Sequence, residues 1–120
     1  MPRMTVRPPH TFTPKLWANS PAATLEYEIA QEKASALGRL GRALEAALAT
    51  LHAFDDATPE KTGETRRKRS ALVDAAGHAL WLFVVQREAI GLRDTRALMR
   101  DYRVPAEVFN RMGAAPIQAP

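Results

Sequence analysis

The residues best suited to metal binding or proton transfer in this sequence are three histidines, His10, His52 and His78, and the carboxylates placed near them. Asp74 and His78 stand four apart, as do Glu28 and Glu32, and Glu45 and His52 stand seven apart. Such spacings share a helical face, so a bundle could gather Glu28, Glu32 and His78 around a metal. The paired Glu-x-x-His pattern of carboxylate-bridged metal bundles is absent, however. Also absent are a glycine-rich phosphate loop, a nucleophile elbow and the two-histidine zinc motif. Ser20, Ser35 and Ser70 have no His and Asp at a recognisable spacing. With no cysteine there is no thiol nucleophile, zinc thiolate site or disulfide. The chain is therefore read as a non-enzyme with no cofactor and no metal.

Positive charge offers a second kind of chemistry. The net charge is +4, and Arg outnumbers Lys 13 to 4. Residues 1–19 combine Pro2, Pro8, Pro9 and Pro14 with Arg3, Arg7 and Lys15 and contain no acid. Proline at that density forbids helix, so an extended basic arm is expected, with Phe12, Leu16 and Trp17 as anchors. Arg66, Arg67, Lys68 and Arg69 form a run near a helix start, where cations oppose the helix dipole. They read either as a solvated face balanced by Asp55, Asp56, Glu60 and Glu64 or as a nucleic-acid patch. Residues 98–112 look like a helix-turn-helix built on Asp101-Tyr102-x-Val104-Pro105. In it Arg103 stands where a turn glycine is common, Met99 stands where a small residue is usual, and Asn110 and Arg111 are the base-reading candidates. The plainer reading is two short helices folded back as a cap over Trp81, Leu82 or Val85.

Stepping from these residues to the elements that must hold them, Ser20-Pro21 is a helix start. The Ser oxygen caps free N–H groups, and proline loses nothing at the first helical position. Leu25, Ile29, Leu37, Leu40, Leu44, Leu48 and Leu51 then recur at helical spacing, with Lys33 the one break. The pattern predicts a helix from about residue 21 to 54. Asp55 through Gly63 read as the turn. A second helix begins either at Thr58-Pro59 or after Gly63 and ends at Gly91. Its core side is Leu72, Val73, Ala76, Leu80, Phe83, Val84 and Ile90. The run 79–85 within it is apolar all round, which demands more than one packing partner. Shorter helices follow over about 95–102, with Leu98, Met99 and Tyr102 inward, and about 105–112, with Val108, Phe109 and Met112 inward.

Gly38, Gly41 and Gly77 interrupt the long helices, each at a cost of about 1 kcal/mol relative to alanine. In a hairpin turning near residue 59 they sit at similar distances from the turn, so the two helices are expected to approach most closely there. The fold expected is all-α: a long helical hairpin of two antiparallel helices plus two short C-terminal helices, with residues 20–113 one domain and 114–120 a loose tail. Trp81, Leu82 and Val85 are the expected oligomer interface, and two copies are expected to form a homodimeric four-helix bundle. No apolar run reaches the roughly 20 residues that span a bilayer. The expectation is a bacterial cytoplasmic protein that acts as an interaction module with another protein as partner. Nucleic acid is the alternative partner, through the arm (Arg3, Arg7 and Lys15), Arg66, Arg67, Lys68, Arg69, Arg100, Arg103 and Arg111.

Leu25-Glu26-Tyr27-Glu28-Ile29-Ala30-x-Glu32-Lys33, Leu37-Gly38-Arg39-x-Gly41, Val84-Val85-Gln86-Arg87-Glu88-Ala89-x-Gly91-Leu92-Arg93-Asp94 and Tyr102-x-Val104-Pro105-x-Glu107-Val108 together resemble a small family of alphaproteobacterial all-helical proteins with no assigned activity. The resemblance covers about residues 25–113. It implies one helical domain and transfers no catalytic or binding residue.

Overall fold

The computed structural model describes residues 20–113. The basic arm expected over 1–19, which includes His10, and the tail expected over 114–120 lie outside the described residues. Four helices follow in order: α1 (Pro21–Ala57), α2 (Gly63–Ala89), α3 (Thr95–Asp101) and α4 (Ala106–Arg111). Among the described residues there is no strand.

Ser20 caps α1 as its sequence signal predicts, its Oγ accepting from the Ala23 N–H at 3.0 Å. The helix runs past the expected end at Phe54 to Ala57. Acids in a last turn oppose the helix dipole, and Asp55 is compensated there by the guanidinium of Arg69. Of the two starts open to the second helix, the structure takes the later one. Thr62 is the N-cap of α2 and forms a reciprocal pair with Thr65. The Thr65 N–H donates to Thr62 Oγ1 at 3.1 Å, and the Thr62 N–H donates to Thr65 Oγ1 at 2.9 Å. Threonine thus fills the place a Glu or Gln takes in the usual capping box.

That later start sets the register of the hairpin. Gly41 lies against Phe83, and Asp55 bonds Arg69, so α1 and α2 run in opposite directions about a turn near residue 62. A turn at 59 would have set Gly41 opposite Gly77; the observed turn sets it opposite residue 83, six positions further along. The expected meeting of Gly38, Gly41 and Gly77 is corrected accordingly. A Cβ on Gly77 would sit 3.0 Å from the Arg111 Cβ and 3.1 Å from its carbonyl carbon, so Gly77 admits the backbone of α4. A Cβ on Gly41 would meet Tyr102 Oη at 2.9 Å and the Phe83 ring at 3.3 Å. Gly38 has only the Arg42 side chain of its own helix in reach. Among the described residues, Gly77 is where α2 and the backbone of α4 come close together.

The chain divides into two compact units between Ser35 and Ala36. In the second unit the core is Leu44, Leu48 and Leu51 of α1, Val73, Ala76, Leu80, Phe83 and Val84 of α2, Leu98 of α3 and Val108 of α4. The side chains of Leu44, Leu80 and Val108 are wholly removed from solvent, each burial contributing about 1.5–3 kcal/mol. Tyr102 meets the Phe83 ring edge-on at 5.4 Å between centroids, and Arg87 lies over the same ring. In the first unit, residues 21–35 bury Ala23 alone among the described residues. Leu25 and Ile29, expected on the packed stripe, are 57% and 46% exposed.

Two helices end in the same hydrogen-bonded device with different residues. At the end of α2, Gly91 has φ +92°, its N–H donates to the Glu88 carbonyl, and the Leu92 N–H donates to the Arg87 carbonyl. At the end of α3, Arg103 has φ +53°, its N–H donates to the Arg100 carbonyl, and the Val104 N–H donates to the Met99 carbonyl. Both are Schellman closures. Glycine adopts that left-handed backbone freely; an arginine carries a steric cost.

Candidate functional site

Helix α2 presents two faces, and the contrast between them locates the surface features. Val73, Ala76, Leu80, Phe83 and Val84 face the core. On the opposite side His78, Trp81, Leu82, Val85 and Ala89 follow at spacings of three, one, three and four, which form one stripe. Trp81, Leu82 and Val85 are 42%, 37% and 45% exposed. The short C-terminal helices fold back onto the hairpin through Leu98 and Val108, as the cap reading expects, but leave these three side chains partly exposed. Trp81 is nevertheless held in place. Its ring stacks on His78 at 6.2 Å between centroids, and a Cβ on Gly113 would touch it at 3.4 Å.

The C-terminal helices also lock onto α2 through two arginines. Arg69 donates from Nε and Nη2 to both Asp55 carboxylate oxygens at 2.7 and 3.1 Å. It also donates from Nη1 and Nη2 to both Glu107 oxygens at 2.8 and 2.6 Å. One guanidinium thus ties the end of α1, the start of α2 and α4 together in fork geometry. Its bonds, first to Glu107 and then to Asp55, push the Arg69 pKa up. The Arg69 hydrogen bonds hold the Asp55 and Glu107 carboxyls below their usual values. Arg111 pairs with Asp74 and donates to the Ser70 carbonyl and hydroxyl at 3.4 and 3.3 Å.

These contacts show how the nucleic-acid candidates are engaged within the chain. Arg69 and Arg111 are committed to internal carboxylates, and Lys68 pairs with Glu64 at 3.4 Å. Helix α4, which would be the recognition helix of a helix-turn-helix, has six residues and packs against α2 through Val108, Glu107 and Arg111. Phe109, expected inward, faces out because Val108 takes the one inward position that so short a helix offers. Arg66 and Arg67 remain exposed. Beside the turn an open cleft of about 500 Å³ is lined by Phe54, Asp55, Glu60, Lys61, Arg66 and Arg69, among others. Its lining mixes two acids, Asp55 and Glu60, with three cations, Lys61, Arg66 and Arg69, of which Arg69 is bonded to Asp55.

Among the described residues no three His, Asp or Glu side chains gather into a group that could hold a metal. No helix there is long and apolar enough to cross a membrane. Sequence reasoning named Arg100 and Arg103 but passed over Arg93 and Arg96, which complete an exposed set of four around α3. Their spacing of three, four and three was the signal that could have found them. It also missed Glu107 as the partner of Arg69, a pairing across 38 positions that no local pattern marks.

A family model described as a family of unknown function (DUF6665) matches residues 4–119. No curated protein and no solved structure matches the chain.

Proposed function

We infer that this chain, which belongs to the family of unknown function DUF6665, is a non-enzymatic cytoplasmic interaction module that works as a homodimer. The observation that carries the reading is the exposed stripe of α2. Three large apolar side chains stand together there at over a third of their full exposure. A contiguous exposed apolar patch marks an interaction surface, and tryptophan is prominent among residues that dominate interfaces. Trp81 is braced by His78 and Gly113, so little side-chain freedom is lost on docking. A second copy suits the stripe because it carries no Asp, Glu, Lys or Arg between His78 and Val85. Two such stripes meeting about a two-fold axis bring no like charges together. Two hairpins so joined would form a four-helix core.

The test is the mass of the full chain in solution, by light scattering or sedimentation at micromolar concentration, for wild type and for Trp81→Glu. The dimer reading expects twice the chain mass for wild type. It expects one chain mass for Trp81→Glu with the helical circular dichroism retained. A monomeric wild type, or a Trp81→Glu protein that stays dimeric, overturns it.

A further inference from the structure

We propose that the outer face of α3, formed by Arg93, Arg96, Arg100 and Arg103, is a binding surface for the phosphate backbone of nucleic acid. The proposal is independent of the dimer. Arg96 and Arg100 stand four apart on a seven-residue helix, so they share a face. Leu98, two residues from each, turns to the opposite side and is buried. Arg93 precedes the helix and Arg103 follows it, so four exposed cations flank one seven-residue element. All four are exposed, and among the described residues their side chains have no hydrogen-bond or ion-pair partner. In this they differ from Lys68, Arg69, Arg87 and Arg111, whose side chains are engaged.

The neighbouring acids Asp94 and Asp101 offset part of the charge and leave the four arginines an excess of two. Asp94 is turned to the helix start, where its Oδ1 accepts from the Ala97 N–H at 3.0 Å. Asp101 lies about 100° round the helix from Arg100. The platform under the row is fixed, because Leu98 is buried and Tyr102 packs against Phe83 beside Gly41. Arg103 supplies a second, independent observation. It occupies the left-handed turn at φ +53° where the equivalent turn after α2 has glycine. Backbone strain kept at an exposed position is a feature of binding sites, and the side chain that glycine would forfeit is a cation in this row. A row of unpaired arginines, each able to fork onto phosphate oxygens, suits the dense and regular charge of a nucleic-acid backbone.

The experiment is fluorescence anisotropy of a labelled generic duplex titrated with the full chain at low and near-physiological salt. Four phosphate contacts give a log–log salt slope of about −3.6, a loss of roughly a hundredfold in affinity from 50 to 200 mM salt. Arg96→Glu/Arg100→Glu is expected to weaken binding at low salt at least about tenfold and to flatten the slope by about two. Arg66→Glu/Arg67→Glu is the matched control of equal charge change and is expected to retain more affinity than the α3 variant. Circular dichroism checks that both variants stay folded. No binding by wild type at low salt overturns the proposal. So does an α3 variant that binds like wild type, or a control that loses as much as the α3 variant. Polyglutamate displacing the duplex at lower charge concentration than unlabelled duplex does would overturn the choice of nucleic acid and point to an acidic protein.

Discussion

The two halves of α1 carry the same apolar pattern in different surroundings. Leu25 and Ile29 recur at helical spacing just as Leu44, Leu48 and Leu51 do. The first pair is about half exposed, and the second set is buried. Residues 36–57 have Phe83, Leu80 and Val73 of α2 to exclude water from them. In residues 21–35 Ala23 alone is buried among the described residues. The difference teaches that helical periodicity names the face that needs cover but does not supply the cover. Residues 21–35 extend a helix whose remainder is packed; a second copy of the chain would give Leu25 and Ile29 the cover they lack.

The largest effect is expected where that contrast is sharpest. Leu44→Ala empties a wholly buried position and should cost about 3 kcal/mol, whereas Leu25→Ala should stay within about 0.5 kcal/mol for the isolated chain. Urea denaturation of both variants checks this. Equal losses would break the comparison, since residues 21–35 would then be as well covered as 36–57. A Leu25→Ala loss that grows with protein concentration would identify the cover as a second copy.

What could be read from the sequence follows the same division. Helix existence, the Ser20 cap, the α2 core residues Val73, Ala76, Leu80, Phe83 and Val84, and the two short C-terminal helices are local or periodic properties, and the structure has them. The hairpin register was not legible, because it hung on which of two capping signals won. The reciprocal Thr62–Thr65 pair wins over Thr58-Pro59, and that choice moves every facing pair. The Arg69 junction was equally hidden, since its partners Asp55 and Glu107 come from distant parts of the chain. The exposure of Trp81, Leu82 and Val85 lies between these cases. A segment apolar all round announces that one face will lack a partner within the hairpin, and helical spacing from Leu80, Phe83 and Val84 assigns that face to Trp81, Leu82 and Val85, but nothing local says how far the C-terminal helices reach over it.

Next in size is a pair of glycines from the same hairpin. Gly77→Ala sets a Cβ 3.0–3.2 Å from the Cβ, carbonyl carbon and carbonyl oxygen of Arg111. Backbone atoms there cannot swing away, so the substitution should cost about 1–3 kcal/mol and loosen α4. Gly38→Ala meets only the flexible end of Arg42 at 3.4 Å. It should stabilise by roughly 0.5–1 kcal/mol through helix propensity. Thermal denaturation distinguishes them by sign. If both variants destabilise, the space around Gly38 is not free.

A smaller effect should appear on the acid side. The folded Asp55 and Glu107 carboxyls lie below their ordinary values of 3.8 and 4.5 because Arg69 bonds them. The unfolded chain then binds more protons in this window, so stability rises with pH there. The contribution is complete above about pH 5 and is lost as pH falls through the folded values. In Arg69→Met the two carboxylates lose their cation and face each other, so the acid-side fall in melting temperature should flatten or reverse. Wild-type and variant curves that stay parallel from about pH 6 to pH 3 would remove Arg69 as the source.

The smallest effect sets the two helix ends against each other. After α2 the left-handed position is Gly91, and after α3 it is Arg103, with the same pair of closing hydrogen bonds at each. Arg103→Gly relieves a left-handed backbone cost of about 1 kcal/mol but gives the unfolded chain more freedom, worth about 0.4–1 kcal/mol. The net gain should be a few tenths of a kcal/mol at most. Gly91→Ala carries both terms in the opposite sense and should destabilise slightly. The value of Arg103→Gly lies in its second readout. If the turn needs only a left-handed residue, the variant loses nothing in any assay. If the arginine is kept for its charge, the folded and slightly stabilised variant should show a duplex-binding salt slope shallower by about one. Stability and binding would then move in opposite directions, which a purely structural role for Arg103 does not produce.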